Sequence, residues 1–147
     1  MDILLNQLVA GLSVGSVLLL VAVGLSLTFG QMGVINMAHG EFIMVGAYTA
    51  YVVQLVVGSA GLSLLISIPL AFIIGGLFGV LLEQFLLKYL YHRPLDTLLA
   101  TFGVGLILQQ LALNIFGAPA VDVRAPEFLR GNVEVLGVLV PTARLFI

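Results

Sequence analysis

The sequence predicts an all-α fold, a polytopic transmembrane helix bundle with about four spans, and two observations carry that prediction. Hydrophobic residues make up 61% of the 147 and charged residues 8%, where a soluble domain carries about a quarter charged. Between Asp2 and Glu83 the only formally charged side chain is Glu41. A soluble chain of this length could bury a core, but its surface would need many more charges. Helices are the required form, because hydrocarbon offers no water to satisfy backbone N–H and C=O groups.

Each span follows from counting apolar residues against a hydrocarbon core of about 30 Å, which takes about 20 helical residues. Residues 3–29 make the first, and its apolar run is too long for the short core of a cleaved leader. The uncharged stretch from Phe42 to Leu82 is too long for one helix and contains the turn signal "GSAG" at 58–61. It divides into spans over about 41–57 and 63–87. The polar punctuation "KYLYHRPLD" follows, with Pro94 favouring a break before it, and the fourth span covers about 97–116. Residues 117–136 then read as an extramembrane loop, since "GAPAVDVRAPEFLRGNVEV" holds two prolines, two glycines and five charges. The apolar pattern resumes at "LGVLVPTARLFI" without completing another span, which points to the N-terminal part of a longer polypeptide.

Several functions are excluded by what the chain lacks. Five basic residues spread through a chain of formal charge -2 give no basic patch for nucleic acid. Lys88, the only lysine, has no glycine-rich lead, so there is no phosphate-binding loop. With no cysteine and two histidines 53 positions apart, no metal-ligand spacing is present, and no cofactor is implied. His92, beside Arg93 and Pro94, reads as a solvated loop residue. No catalytic constellation is found, and the chain reads as a non-enzyme.

Small residues at four-residue spacing mark helix-packing faces: Gly11 with Gly15, Gly46 with Ala50, and Ala71 with Gly75 and Gly79. Orientation is nearly tied, with Lys88 and Arg93 against Arg124 and Arg130. The first pair sits in the shorter loop, which favours a cytoplasmic 88–96, an outer N-terminus, residues 30–40 toward the inside and an outer 117–136.

The segment "GVINMAHGEFIMVGAY" at 33–48 gathers Asn36, His39 and Glu41 among glycines 30, 33 and 40. One reading is a broken helix near 30–41, whose new start would aim its amides into a protein-lined or wet space. The other is a short interfacial loop with Glu41 as a favourable first-turn acid. In a continuous helix Asn36 and His39 would share a face and Glu41 would not, so the three converge only if the helix breaks. Convergence would place them on a translocation path or gate. A carboxylate near the bilayer centre costs about 2.5–3.5 kcal/mol on insertion scales, so it would need such partners.

The stretches "FGQMGVINMAHGEFIMVGAYTAYVVQ", "RPLDTLLATFGVGLILQQ" and "IFGAPAVDVRAPEFLRGNVEV" resemble, in order, the LivH-type permeases, membrane subunits of ABC importers for branched-chain amino acids and related small solutes. Within that family they are most similar to the UrtB-type urea branch. The resemblance covers about residues 10–140 and implies a multi-pass protein of a bacterial inner membrane. Its implied partners, beside membrane lipid, are a second permease subunit, cytoplasmic ABC ATPase subunits and an extracytoplasmic solute-binding protein. The segment that couples to the ATPase is expected beyond this stretch of chain. Urea or a short amide is the favoured solute, because an amino acid's two charges need counter-charges and residues 3–82 supply one formal charge. A branched-chain amino acid is the alternative, and composition alone would equally allow a passive channel, a secondary carrier or a non-transporting scaffold. In the outer loop, Arg124, Glu127 and Arg130 would dock the binding protein or simply solvate a connector.

Overall fold

A computed structural model describes residues 2–117, 123–124, 126, 129–135 and 138–142. Four long helices lead: α1 (Asp2–Met32), α2 (His39–Val57), α3 (Ala60–Phe85) and α4 (Pro94–Phe116), with a 3₁₀ turn at Leu87–Tyr89 between the last two. All four are long and apolar enough to cross a membrane. Beyond them, β1 (Asn132–Val135) pairs antiparallel with β2 (Val138–Pro141), Val135 opposite Val138. The all-α expectation therefore holds for the bundle and misses one short hairpin, whose first strand falls at the end of the stretch expected as plain loop and whose second falls in the apolar run after it.

The chain divides into two compact units. One comprises the first 24 residues together with those from 124 onward. Within its hairpin, Thr142 closes the base: its hydroxyl lies 2.7 Å from the carbonyls of Leu129 and Gly131, and its N–H donates to Gly131 at 2.9 Å. Residues 25–123 form the other unit and hold the end of α1 with α2, α3 and α4.

Helix ends in this second unit follow from residue chemistry. Gly33 (φ 64°) stops α1 with its N–H on Phe29 O at 2.8 Å, and Gly58 (φ 71°) stops α2 with its N–H on Gln54 O at 3.1 Å. Left-handed backbone of this kind favours glycine, and the N–H satisfies a carbonyl the helix would orphan. Pro94 opens α4, where its missing N–H costs nothing. The helices begin a few residues earlier than apolar counting placed them, at Ala60 and Pro94, because counting finds hydrocarbon and not caps.

Packing matches a lipid solvent. Phe72 is 83% exposed and Val56 81%, an outward apolar surface that only hydrocarbon or partner helices can cover. The buried positions include Thr49, Ser63, Ser67, Thr97 and Thr101. Their hydroxyls donate to carbonyls three or four residues back, so the polar interior is satisfied within each helix. Among the described residues no buried side-chain N or O lacks a partner.

Candidate functional site

The chain leaves helical geometry after Met32 and regains it at His39. Three kinds of contact set the path between. Asn36 Oδ1 accepts the Ala38 N–H at 3.0 Å, a local turn that Asn chemistry favours. Met37 N–H donates to Thr101 Oγ1 on α4 at 3.1 Å, and the Thr101 hydroxyl passes its own proton to Thr97 O at 2.9 Å. Val34, 5% exposed, packs with Leu82 and Leu87. These contacts pair the N–H groups of Met37 and Ala38 and bury Val34 and Ala38, while Ile35 and Met37 remain exposed.

Depth follows from which residues meet. A side chain at Gly105 would touch Ala38 Cα and Glu41 Cγ, at 3.9 and 3.5 Å from its Cβ. Gly105 is eleven residues into α4, so α2 starts about 16 Å along a helix about 34 Å long. The α3 side agrees. Gly46 meets Ala71 at 3.9 Å, and below that contact α3 runs fourteen residues to Phe85 while α2 runs only seven to His39. The start of α2 is inset by about 10 Å from the end of α3. The break between α1 and α2 therefore lies alongside α3 and α4 and not beyond their ends, while α2 is itself long enough to cross a membrane.

The three polar residues of the break part company. Glu41 turns to α4, where its Oε1 accepts Gln109 Nε2 at 2.7 Å. Asn36 and His39 instead line a cavity of about 440 Å³ beneath the inset helix, with Thr28, Met32, Phe42 and Glu83. Asn36 and His39 are expected to complete the shell of the Glu41 carboxylate; the side-chain partner found on that carboxylate is Gln109. Glu83 holds a second link, its Oε1 accepting the Tyr91 hydroxyl at 3.1 Å. Burial, then the hydrogen bond to Glu83 and that carboxylate's charge, push the Tyr91 phenol, in the loop after α3, above its ordinary pKa. Gln109 and Glu83 were absent from the candidates. The available signal was Gln109 one turn beyond Gly105 on an apolar helix, and Glu83 as the first charge after Leu82.

The small residues also divide. Gly46 and Ala71 make the expected close approach of α2 and α3, with Ala50 half-buried farther along α2. Gly75 and Gly79 form cavity wall, and a Cβ at either would meet nothing within 4 Å. Gly11 and Gly15 likewise have nothing within 4 Å. A second cavity of about 300 Å³, between α2, α3 and α4, is apolar and floored by Tyr48 stacked on Phe116 at 4.2 Å. Arg124 and Arg130 are exposed, and Glu127 lies outside the described residues. At the start of α4, Arg93 and Asp96 form an exposed pair at 3.6 Å. No group of three His, Cys, Asp or Glu among the described residues is placed to hold a metal ion.

The model of the family described as "Branched-chain amino acid transport system / permease component" matches residues 7–140. Among curated relatives, the high-affinity branched-chain amino acid transport system permease protein BraD of Pseudomonas aeruginosa is 31% identical over 142 residues. The permease proteins LivH of Salmonella typhimurium and Escherichia coli are 26% and 27% identical over 134 residues. Each alignment covers 87% of this chain, and the chain spans 43% of the length of each relative. No solved structure matches it.

Proposed function

The chain belongs to the permease-component family of branched-chain amino acid transport systems, and on that premise we propose that it supplies four membrane helices of an ATP-driven importer for a branched-chain amino acid. The observation that carries this is the inset start of α2 above a cavity whose largely apolar wall carries Asn36, His39 and Glu83. Broken helices at membrane depth are where transporters place solute groups, since half-helix ends and unwound backbone offer dipoles there. Cytoplasmic ATPase subunits would supply the energy, a second permease subunit the facing half of the path, and an extracytoplasmic binding protein the solute. Asn36, His39 and Glu41 would brace this path or its gate.

The choice of solute turns on Glu83. Urea was favoured by the scarcity of charge over residues 3–82, but the next residue lines the cavity, so an ammonium group finds a carboxylate there. The names of the relatives support the same substrate class. The membrane is the inner membrane of a bacterium in this reading, with the loop between α3 and α4 cytoplasmic and the N-terminus outside.

Reconstitution of the full-length assembly in proteoliposomes tests the proposal. Leucine uptake should require the ATPase, ATP and the binding protein, and excess valine or isoleucine should compete while urea should not. Uptake undiminished without the ATPase would favour a channel or carrier. Urea competing where valine fails would return the assignment to the urea branch.

A further inference from the structure

The cavity beneath α2 presents three kinds of surface. Glu83 on α3 offers a carboxylate, with one oxygen engaged by Tyr91 at 3.1 Å. Asn36, whose carboxamide oxygen is held by the Ala38 N–H, offers its Nδ2 donors, and His39 adds an imidazole at the first residue of α2. Met32, Phe42 and Leu82 offer apolar area, while Gly75 and Gly79 leave bare backbone. A volume of about 440 Å³ lies within the range of about 300–1,000 Å³ common for small-molecule sites.

A zwitterion with a short aliphatic arm complements that set. Taking both its charges out of water is costly unless each finds a partner of opposite sign or a donor. Glu83 suits the ammonium. Asn36 Nδ2 and His39 suit the carboxylate, backed by the positive end of α2. Glu41, on the α4 side and engaged by Gln109, does not line the cavity, so its charge leaves these donors to the incoming carboxylate. We infer that this vestibule is a transient subsite for an α-amino acid with a small branched aliphatic side chain, with Glu83 as the ammonium-binding and specificity-determining residue. The inference rests on the importer reading above and names the residues that would select the solute.

The glycine wall makes the subsite adjustable without breaking the fold. Gly79 lines the cavity and a Cβ there meets nothing within 4 Å, so a larger side chain can be accommodated at this wall. Gly79→Ala should shift preference toward smaller side chains, and Gly79→Leu should obstruct passage.

The test uses the full-length assembly in proteoliposomes with radiolabelled L-leucine, normalised to inserted permease, alongside ATP hydrolysis stimulated by the binding protein. Glu83→Gln should lower initial leucine uptake about tenfold, the weight of one charge-assisted contact, with stimulated hydrolysis persisting. Gly79→Leu should lower uptake at least as much, and Gly79→Ala should raise competition by alanine relative to leucine. Tyr91→Phe removes the hydrogen bond to Glu83 but keeps the carboxylate, whereas Glu83→Gln removes the charge and keeps an acceptor for Tyr91; Tyr91→Phe should alter uptake by no more than about twofold. If Tyr91→Phe reproduces the Glu83→Gln loss, the carboxylate serves only to hold the loop and the subsite falls. If Glu83→Gln and Gly79→Leu both transport leucine normally, the subsite falls while the importer reading stands. If the unaltered assembly does not carry leucine, both are overturned.

Discussion

Severing the contact between Glu41 and Gln109 isolates what holds the inset start of α2 against α4. The 2.7 Å separation is that of a charge-assisted hydrogen bond. Such a bond contributes about 1.5–3 kcal/mol in a soluble interior. Polar pairs between membrane helices average about 0.6 kcal/mol, with a maximum of about 1.7, because separated helices find other partners. Gln109 is exposed and Glu41 half-buried, which puts the pair in the membrane range, at about 1 kcal/mol of coupling. A double-mutant cycle over Glu41→Leu and Gln109→Leu, read by unfolding of the full-length permease in bicelles, measures it. In the same preparations Glu41→Gln should impair uptake more than membrane insertion, while Glu41→Leu should impair both by losing the acceptor as well as the charge. Coupling below about 0.3 kcal/mol, within the scatter of independent sites, together with normal uptake in both Glu41 variants, would refute the reasoning. Glu41 would then be an ordinary first-turn acid.

Three further outcomes are expected. The chain contains no cysteine, so single replacements report orientation directly: His92→Cys should react with a membrane-impermeant maleimide only after permeabilisation, and Arg130→Cys from the outside. Tyr91, whose pKa is raised by burial first and then by donating to the Glu83 carboxylate, contributes stability that is present below about pH 10 and lost as pH climbs through the raised value; the tyrosinate absorbance that Tyr91→Phe removes should therefore emerge above pH 10. Charge reversal at Arg124 and Arg130 should weaken docking of the binding protein, more at low salt than at high salt because exposed charges are screened; an affinity that stays constant across salt would remove this loop from the interface.

What the sequence revealed about the site depended on distance along the chain. The break was legible because its causes are local: Gly33 supplies the positive φ, and Asn36 forms its own turn. The partner of Glu41 was not legible, since Gln109 lies 68 positions away and no periodicity links them. Gly75 and Gly79 have the spacing of a packing face, and that spacing serves a cavity wall equally well, because both uses require only that no side chain intrude. The substrate argument from scarce charge counted positions up to Leu82 and so stopped one residue before Glu83. The hairpin was hidden by size, its two strands of four residues being too short to register beside spans of twenty.

The stagger of α2 on α4 gives the pair a mechanical register. Along α4, Thr97, Thr101, Gly105 and Gln109 recur every four residues, a row of rungs about one helical turn apart. Met37 is seated on the second, Ala38 and Glu41 lie against the bare third, and the Glu41 carboxylate reaches the fourth. A slide of one turn, about 5.4 Å, toward Pro94 would bring Glu41 level with Gly105, which has no side-chain donor. The same slide the other way would bring it level with Leu113, which has none either. A slide in either direction would break both the Met37–Thr101 and the Glu41–Gln109 hydrogen bonds, and in neither would the carboxylate meet another side-chain donor in that row.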